Sequence, residues 1–277
     1  MTQNSTHAGF TNYAAYRDPK ALGQSRIGHL DLEKSVIQPL SFVSGTPLAN
    51  LYQVIEIGES QIKPFGEVIP LSSVELLAPI SGRDVLAVGK NYSEHAKEFN
   101  SSGYDSSDKV DQPTHPVIFT KRATSIISSG ELIFPHPRFT ESCDYEGEIG
   151  VIIGKSGFRI KEADAMDYVW GYTIINDMTA RERQRDHKQF YIGKSPDTFC
   201  PIVSVTLGKV PKVGEKRSNK IFRVQLQCLQ ANFPSPSECK LTSTANRAKI
   251  LPLRSSSFPS HSSFTHYQKD RQSNLAT

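Results

Sequence analysis

Residues 144–155, D-Y-E-G-E-I-G-V-I-I-G-K, and residues 170–177, W-G-Y-T-I-I-N-D, bracket the stretch whose reading decides the fold. The first piece carries Glu146 and Glu148, two apart, and then the β-branched apolar run Ile149, Val151, Ile152 and Ile153. Such a run reads as a strand, and residues i and i+2 of a strand project from one face. The two carboxylates therefore point together, and they repel unless a cation lies between them or one takes a proton. The second piece is another apolar strand, closed by Asp177; the segment between the two reads as an amphipathic helix. Three carboxylates on neighbouring strand ends suit a hard divalent cation such as Mg2+, which keeps its other octahedral positions for water or substrate. Taken alone, the cluster reads equally well as a solvent-facing strand edge, with Asp177 capping a following helix.

The chain has 277 residues and a net charge of +4, room for one large domain or a domain with a small appendage. The charge is uneven. Residues 212–277 carry 11 Lys/Arg against 3 Asp/Glu, so all the positive excess lies there and the rest of the chain is net −4. No basic face with aromatic or motif support accompanies it, which argues against a nucleic-acid partner. No apolar run approaches membrane-spanning length, and the first residues lack a charged-then-apolar signal pattern. No membrane partner is expected, and the compartment reads as cytoplasmic or mitochondrial. The 4 cysteines lack paired metal spacing and are too few for a disulfide scaffold. All 18 glycines lie at or before Gly214, and residues 212–277 are Ser-rich and basic. A tail without the glycine that sharp turns need is expected to be disordered or poorly packed.

Residues 1–78 combine short apolar runs, L-Y-Q-V-I-E-I at 51–57 and another at 67–77, with Gly and Pro punctuation. They read as a small β-rich N-terminal region. From residue 79 the pattern tightens. D-V-L-A-V-G at 84–89 is a buried-type strand, followed by K-N-Y-S-E-H-A-K-E-F, where His95 and Glu98 share one helix face. A carboxylate there can hold the imidazole in one tautomer, although H-x-x-E alone reads more readily as a solvated helix. P-V-I-F-T-K (116–121) and E-L-I-F-P-H-P (131–137) read as strands, T-A-R-E-R-Q-R-D-H-K-Q-F (179–190) as a charged helix, and G-K-S-P-D-T-F-C-P (193–201) as a turn into a strand at 202–207. Two fragments fail as motifs. Gly193-Lys194-Ser195 does not end a phosphate loop, because Lys188 stands where the first glycine belongs. Asp144, Glu146 and Glu148 do not open a calcium loop, because Ile149 takes the place of the turn glycine.

Four segments in one order, V-G-K-N-Y-S-E-H-A-K-E, D-Y-E-G-E-I-G-V-I-I-G-K, N-D-M-T-A-R-E-R-Q and G-K-S-P-D-T-F-C-P, together resemble the fumarylacetoacetate hydrolase family, in particular its small domain-containing members. The resemblance implies a mixed α/β, mainly β fold with a mixed β-roll or β-sandwich core and short helices, a Mg2+ or Mn2+ site, and usually a homodimer. It implies Glu146, Glu148 and Asp177 as metal ligands, and His95, Glu98 and Lys194 as catalytic residues. Arg181 and Gln184 would hold the substrate's oxygens, with Tyr92 beside them in N-Y-x-x-H. The implied substrates are small 2-oxo or 1,3-diketo acids, processed through an enolate by tautomerisation, hydrolysis or decarboxylation; oxaloacetate-type dicarboxylates come first and acylpyruvates second. The family's T-G-T-P-x-G-V segment does not follow, so residues 79–211 are expected to be a core truncated on its C-terminal side and residues 212–277 an unrelated tail. The alternative is a catalytically dead or truncated member that binds metal only, or a non-functional product.

Overall fold

The computed structural model describes residues 12–89, 115–186 and 189–208. Its strands are β1 (Asn12–Asp18), β2 (Gln24–Asp31), β3 (Val36–Phe42), β4 (Ile62–Pro64), β5 (Ile69–Pro70), β6 (Glu75–Leu77), β7 (Val85–Gly89), β8 (Val117–Lys121), β9 (Ile126–Ile127), β10 (Cys143–Asp144), β11 (Gly147–Ile153), β12 (Val169–Asn176), β13 (Thr179–Ala180), β14 (Cys200–Pro201) and β15 (Val205–Gly208). Among the described residues three short α-helices accompany them: α1 (Leu51–Ile57), α2 (Arg181–Asp186) and α3 (Phe190–Lys194). The fold is mixed α/β and mainly β, as the sequence indicates.

One sheet joins both parts of the chain, in the order β11-β12-β15-β1-β2-β3-β4, with β5 on β3 and β6 on β1. β1 lies at its centre because both faces of N-Y-A-A-Y are apolar or aromatic enough to be covered. Tyr13 and Ala15 pack into one cluster with Ile27, Leu40, Leu51, Val54 and Ile152. Ala14 and Tyr16 pack into another with Leu30, Ile37, Ile174 and Val203. The N-terminal strands thus share a sheet with β11 and β12, through the antiparallel pairing of β1 with β15 and of β15 with β12.

Two local readings of the sequence are corrected. Leu51–Ile57 is a helix rather than a strand: Asn50 accepts the Gln53 N–H as an N-cap, and Leu51 and Val54, three apart, are the residues it buries. Residues 131–137 form no regular element, since Pro135 and Pro137 remove the donors a ladder needs. The segment before β12 is helical, a 3-10 helix over Glu162–Tyr168. The β11–β12 hairpin matches expectation, running in register from Gly147 opposite Asn176 to Gly150 opposite Thr173 and beyond.

Candidate functional site

The site is built where the hairpin continues past its own ladder. Asp177 N–H donates to the Glu146 carbonyl at 2.8 Å, and Arg181 N–H to the Ser142 carbonyl at 3.0 Å. Between these two contacts β10 pairs with β13, setting Asp144 opposite Thr179. Residues 142–148 and 176–181 are therefore one extended antiparallel pair, which brings three acidic and two polar or basic side chains into a small volume. Along β11 the odd positions Ile149, Val151 and Ile153 are exposed and the even ones Gly150 and Ile152 buried. Glu148 shares the even, inward face, half-buried.

The last residue of α3 brings Lys194 in from the other side, buried to 2% exposure. Its ammonium donates to Asp177 Oδ2 at 2.6 Å, Glu146 Oε2 at 3.0 Å and Thr179 Oγ1 at 2.9 Å. Three acceptors match the three N–H bonds of a protonated lysine. The same ammonium stands 5.0 Å from the centre of the Phe119 ring. Burial works against its charge, but Asp177 and Glu146 outweigh it and hold Lys194 above its ordinary value. The other oxygen of Glu146, Oε1, accepts Arg181 Nη1 at 2.6 Å. Burial would raise the Glu146 carboxyl, yet Lys194 and Arg181 bring it down to about 2. Arg181 also grips Asp144 and touches Gln184 Oε1 at 3.3 Å. Gln184 is itself only 1% exposed.

Of the residues singled out by sequence, Glu146, Asp177, Arg181, Gln184 and Lys194 come together here. Tyr92, His95 and Glu98 lie outside the described residues. Asp177 caps no helix, since Thr179 and Ala180 that follow it are strand and its oxygens go to lysines. Three members of the cluster carried no sequence signal strong enough to find them: Asp144, Thr179 and Lys121. Lys121, 1% exposed, has its ammonium 2.5 Å from Asp177 Oδ1 as an ion pair without hydrogen-bond alignment. It also donates to the Met178 carbonyl at 2.8 Å and to the Lys194 carbonyl. Burial pushes Lys121 down and Asp177 acts against that push. Beside it the Cys200 thiol is fully buried and pushed up to about 12, chiefly by burial, which removes it as a nucleophile.

Among the described residues no three His, Cys, Asp or Glu side chains are gathered to hold a metal ion. The donor set nevertheless fits a hard divalent cation. Its atoms are carboxylate oxygens, and Glu146 Oε2 and Asp177 Oδ2 already converge on one positive charge, that of Lys194. Three buried or nearly buried cations (Lys121, Arg181, Lys194) face three carboxylates (Asp144, Glu146, Asp177), so the cluster carries no net charge before Glu148 is counted.

A nine-stranded sheet whose hairpin end collects these carboxylates and lysines defines a member of the fumarylacetoacetate hydrolase family: the family's sequence model, described as fumarylacetoacetate (FAA) hydrolase C-terminal, matches residues 84–246, over half of the chain, and the chain belongs to that family. The match runs beyond residue 211, into the segment that by sequence reads as an unrelated tail. Over 141 residues the chain is 47% identical to oxaloacetate tautomerase YisK of Bacillus subtilis, covering 50% of this chain and 44% of the relative. It therefore spans less than half the length of that relative. Among solved structures, a fumarylacetoacetate hydrolase from the psychrophile Exiguobacterium antarcticum superposes with a TM-score of 0.51 at 30% identity, over 72% of this chain and 66% of the other. A 5-carboxymethyl-2-hydroxymuconate delta-isomerase from Mycobacterium smegmatis superposes with a TM-score of 0.51 at 26% identity, over 72% and 68%.

Proposed function

We propose that this chain is a divalent-metal-dependent enzyme acting on small 2-oxo or 1,3-diketo acids through an enolate, with keto–enol tautomerisation of oxaloacetate as the first reading and C–C hydrolysis or decarboxylation of acylpyruvates as the second. The observation that carries it is the lysine ammonium held between the buried Asp177 carboxylate and the nearly buried Glu146 carboxylate, in a chain half of which resembles an oxaloacetate tautomerase. In this reading Glu146, Glu148 and Asp177 hold Mg2+ or Mn2+, which when bound supplies Lewis acidity toward a ketone oxygen.

The chain's own residues do the rest. Lys194, 2% exposed, directs its ammonium at the oxygen where enolate charge develops. Arg181, clamped by Asp144, keeps a fixed fork toward Glu146 and Gln184, so that it adds positive charge without reorganising when an anionic substrate arrives. The neutral balance of the cluster supports the choice of an anion: Glu148 and a divalent cation together leave one positive charge over. His95, oriented by Glu98, takes the proton from the carbon next to the ketone and returns it at oxygen, or the reverse. Gln184 and Tyr92 donate to the substrate's carboxylate. The exposed Ile149, Val151 and Ile153 on β11, which pairs with β12 alone among the described residues, support a homodimer, to be read by light scattering.

The test is the ultraviolet decay of enol-oxaloacetate with the protein in Mg2+ and after EDTA. Acceleration over buffer that EDTA removes supports the proposal. A decay no faster than buffer, with Mg2+ bound, leaves a relative that binds metal only and overturns the enzymatic reading.

A further inference from the structure

Glu146 and Asp177 each pair with a second cation besides the Lys194 they share. Glu146 gives Oε1 to Arg181 and Oε2 to Lys194; Asp177 gives Oδ1 to Lys121 and Oδ2 to Lys194. The two lysines are held differently. All three partners of Lys194 are side chains, Glu146, Asp177 and Thr179, and two of them can pair with another cation in its place. Two of the three oxygens around Lys121 are backbone carbonyls, those of Met178 and Lys194, and these cannot follow a departing partner. The ammonium of Lys121 ties strand β8 to the turn that carries Asp177 and to the end of α3.

Resting on the reading under Proposed function, we infer that Lys121 is a positioning residue: the fixed counter-cation that keeps the Asp177 carboxylate aimed at the site while Lys194 moves off it toward substrate or yields its place to a divalent ion. Removing the sole partner of a buried charge is strongly unfavourable. With Lys121 in place Asp177 is never left alone, and with Arg181 in place neither is Glu146. Lys194 is thereby free to exchange.

The two lysines lie at nearly equal distances from one carboxylate, yet their removal should act in opposite directions. Titration of the full chain with Mn2+, followed by the electron paramagnetic resonance of the free ion, is compared for wild type, K121M and K194M. K194M removes a competing cation, and Mn2+ affinity should rise by roughly ten-fold or more. K121M releases Asp177 from behind, and affinity should fall by roughly 10–100-fold, the usual effect of losing a group that orients a ligand. A rise in both variants makes Lys121 a mere nearby charge and overturns the inference, as does a folded K121M with wild-type affinity. Near-UV circular dichroism reports folding; where K121M does not fold, K121Q, which keeps a donor without the charge, carries the same comparison. A second readout is independent of metal. In K194M labelled with 15N at lysine, the Lys121 ammonium should keep a slowly exchanging signal, and its loss overturns the inference. A wild type that binds no Mn2+ removes the metal reading of the site, while the ammonium signal still decides the role of Lys121.

Discussion

Arg181 closes on Asp144 with two nitrogens at once, Nε at 2.9 Å and Nη2 at 2.6 Å from the same oxygen, Oδ2. The grip leaves Nη1 to reach Glu146 and Gln184, so Asp144 fixes the direction from which Arg181 meets the site. Burial works to lower the guanidinium, but Glu146 and Asp144 outweigh it and hold it above its ordinary value.

Replacing Asp144 by Asn keeps the shape and removes the charge, and so tests the grip directly. Breaking a buried pair by neutralising one partner costs about 3–5 kcal/mol, and D144N should lose stability of that order in urea denaturation. R181K should not substitute, because an ammonium cannot make the two-nitrogen contact. Wild-type midpoints for both variants would contradict the role given to the pair.

At Gly193, α3 passes close against β13 and α2. A Cβ there would meet the Ala180 carbonyl oxygen and the Gln184 amide nitrogen, both at 2.9 Å. These are backbone atoms and cannot step aside. G193A should therefore push α3, and Lys194 with it, off the carboxylates, at about 1–3 kcal/mol for overpacking. The same urea denaturation measures it, with an unchanged midpoint as the contrary result.

Glu182 gathers the segment before β10, accepting Thr140 Oγ1 at 2.8 Å, the Glu141 N–H at 2.6 Å and Ser142 Oγ at 2.5 Å. Burial alone would raise its carboxyl, but the Ser142 hydroxyl and the Glu141 N–H lead the donors that bring it down from 4.5 to about 2. A depressed folded value means stability that is present above 4.5 and lost as pH falls toward 2. E182Q should flatten that acid limb of a stability-against-pH curve, relative to wild type. An identical acid limb in the two proteins would show that Glu182 contributes nothing there.

How much of this was legible in the sequence depends on range. The β11–β12 hairpin could be read from β-branched runs, because a strand's alternation is a local property. Glu146 and Asp177 stand out from their places on those strands, whereas Lys194 is singled out only by motif resemblance. Lys121 is reached by neither, for its backbone partners lie 57 and 73 residues away. Its one local trace is its position two residues after the buried Phe119, on the inward side of β8. Helix α1 was misread because Val54 and Ile55 favour strand by composition, while the cap at Asn50 is a single residue. The joining of β1 to β15 spans nearly the whole described chain, and no period within either strand announces its partner.

The central claim is that Glu146 and Asp177, now sharing the charge of Lys194, are built to share a divalent ion. Calorimetric titration of wild type, E146Q and D177N with Mn2+ tests it most directly. The account predicts one ion per chain in wild type and a loss of binding by about 100-fold or more in each variant, since a ligand itself is removed rather than its support. Equal Mn2+ affinity in all three proteins would contradict it.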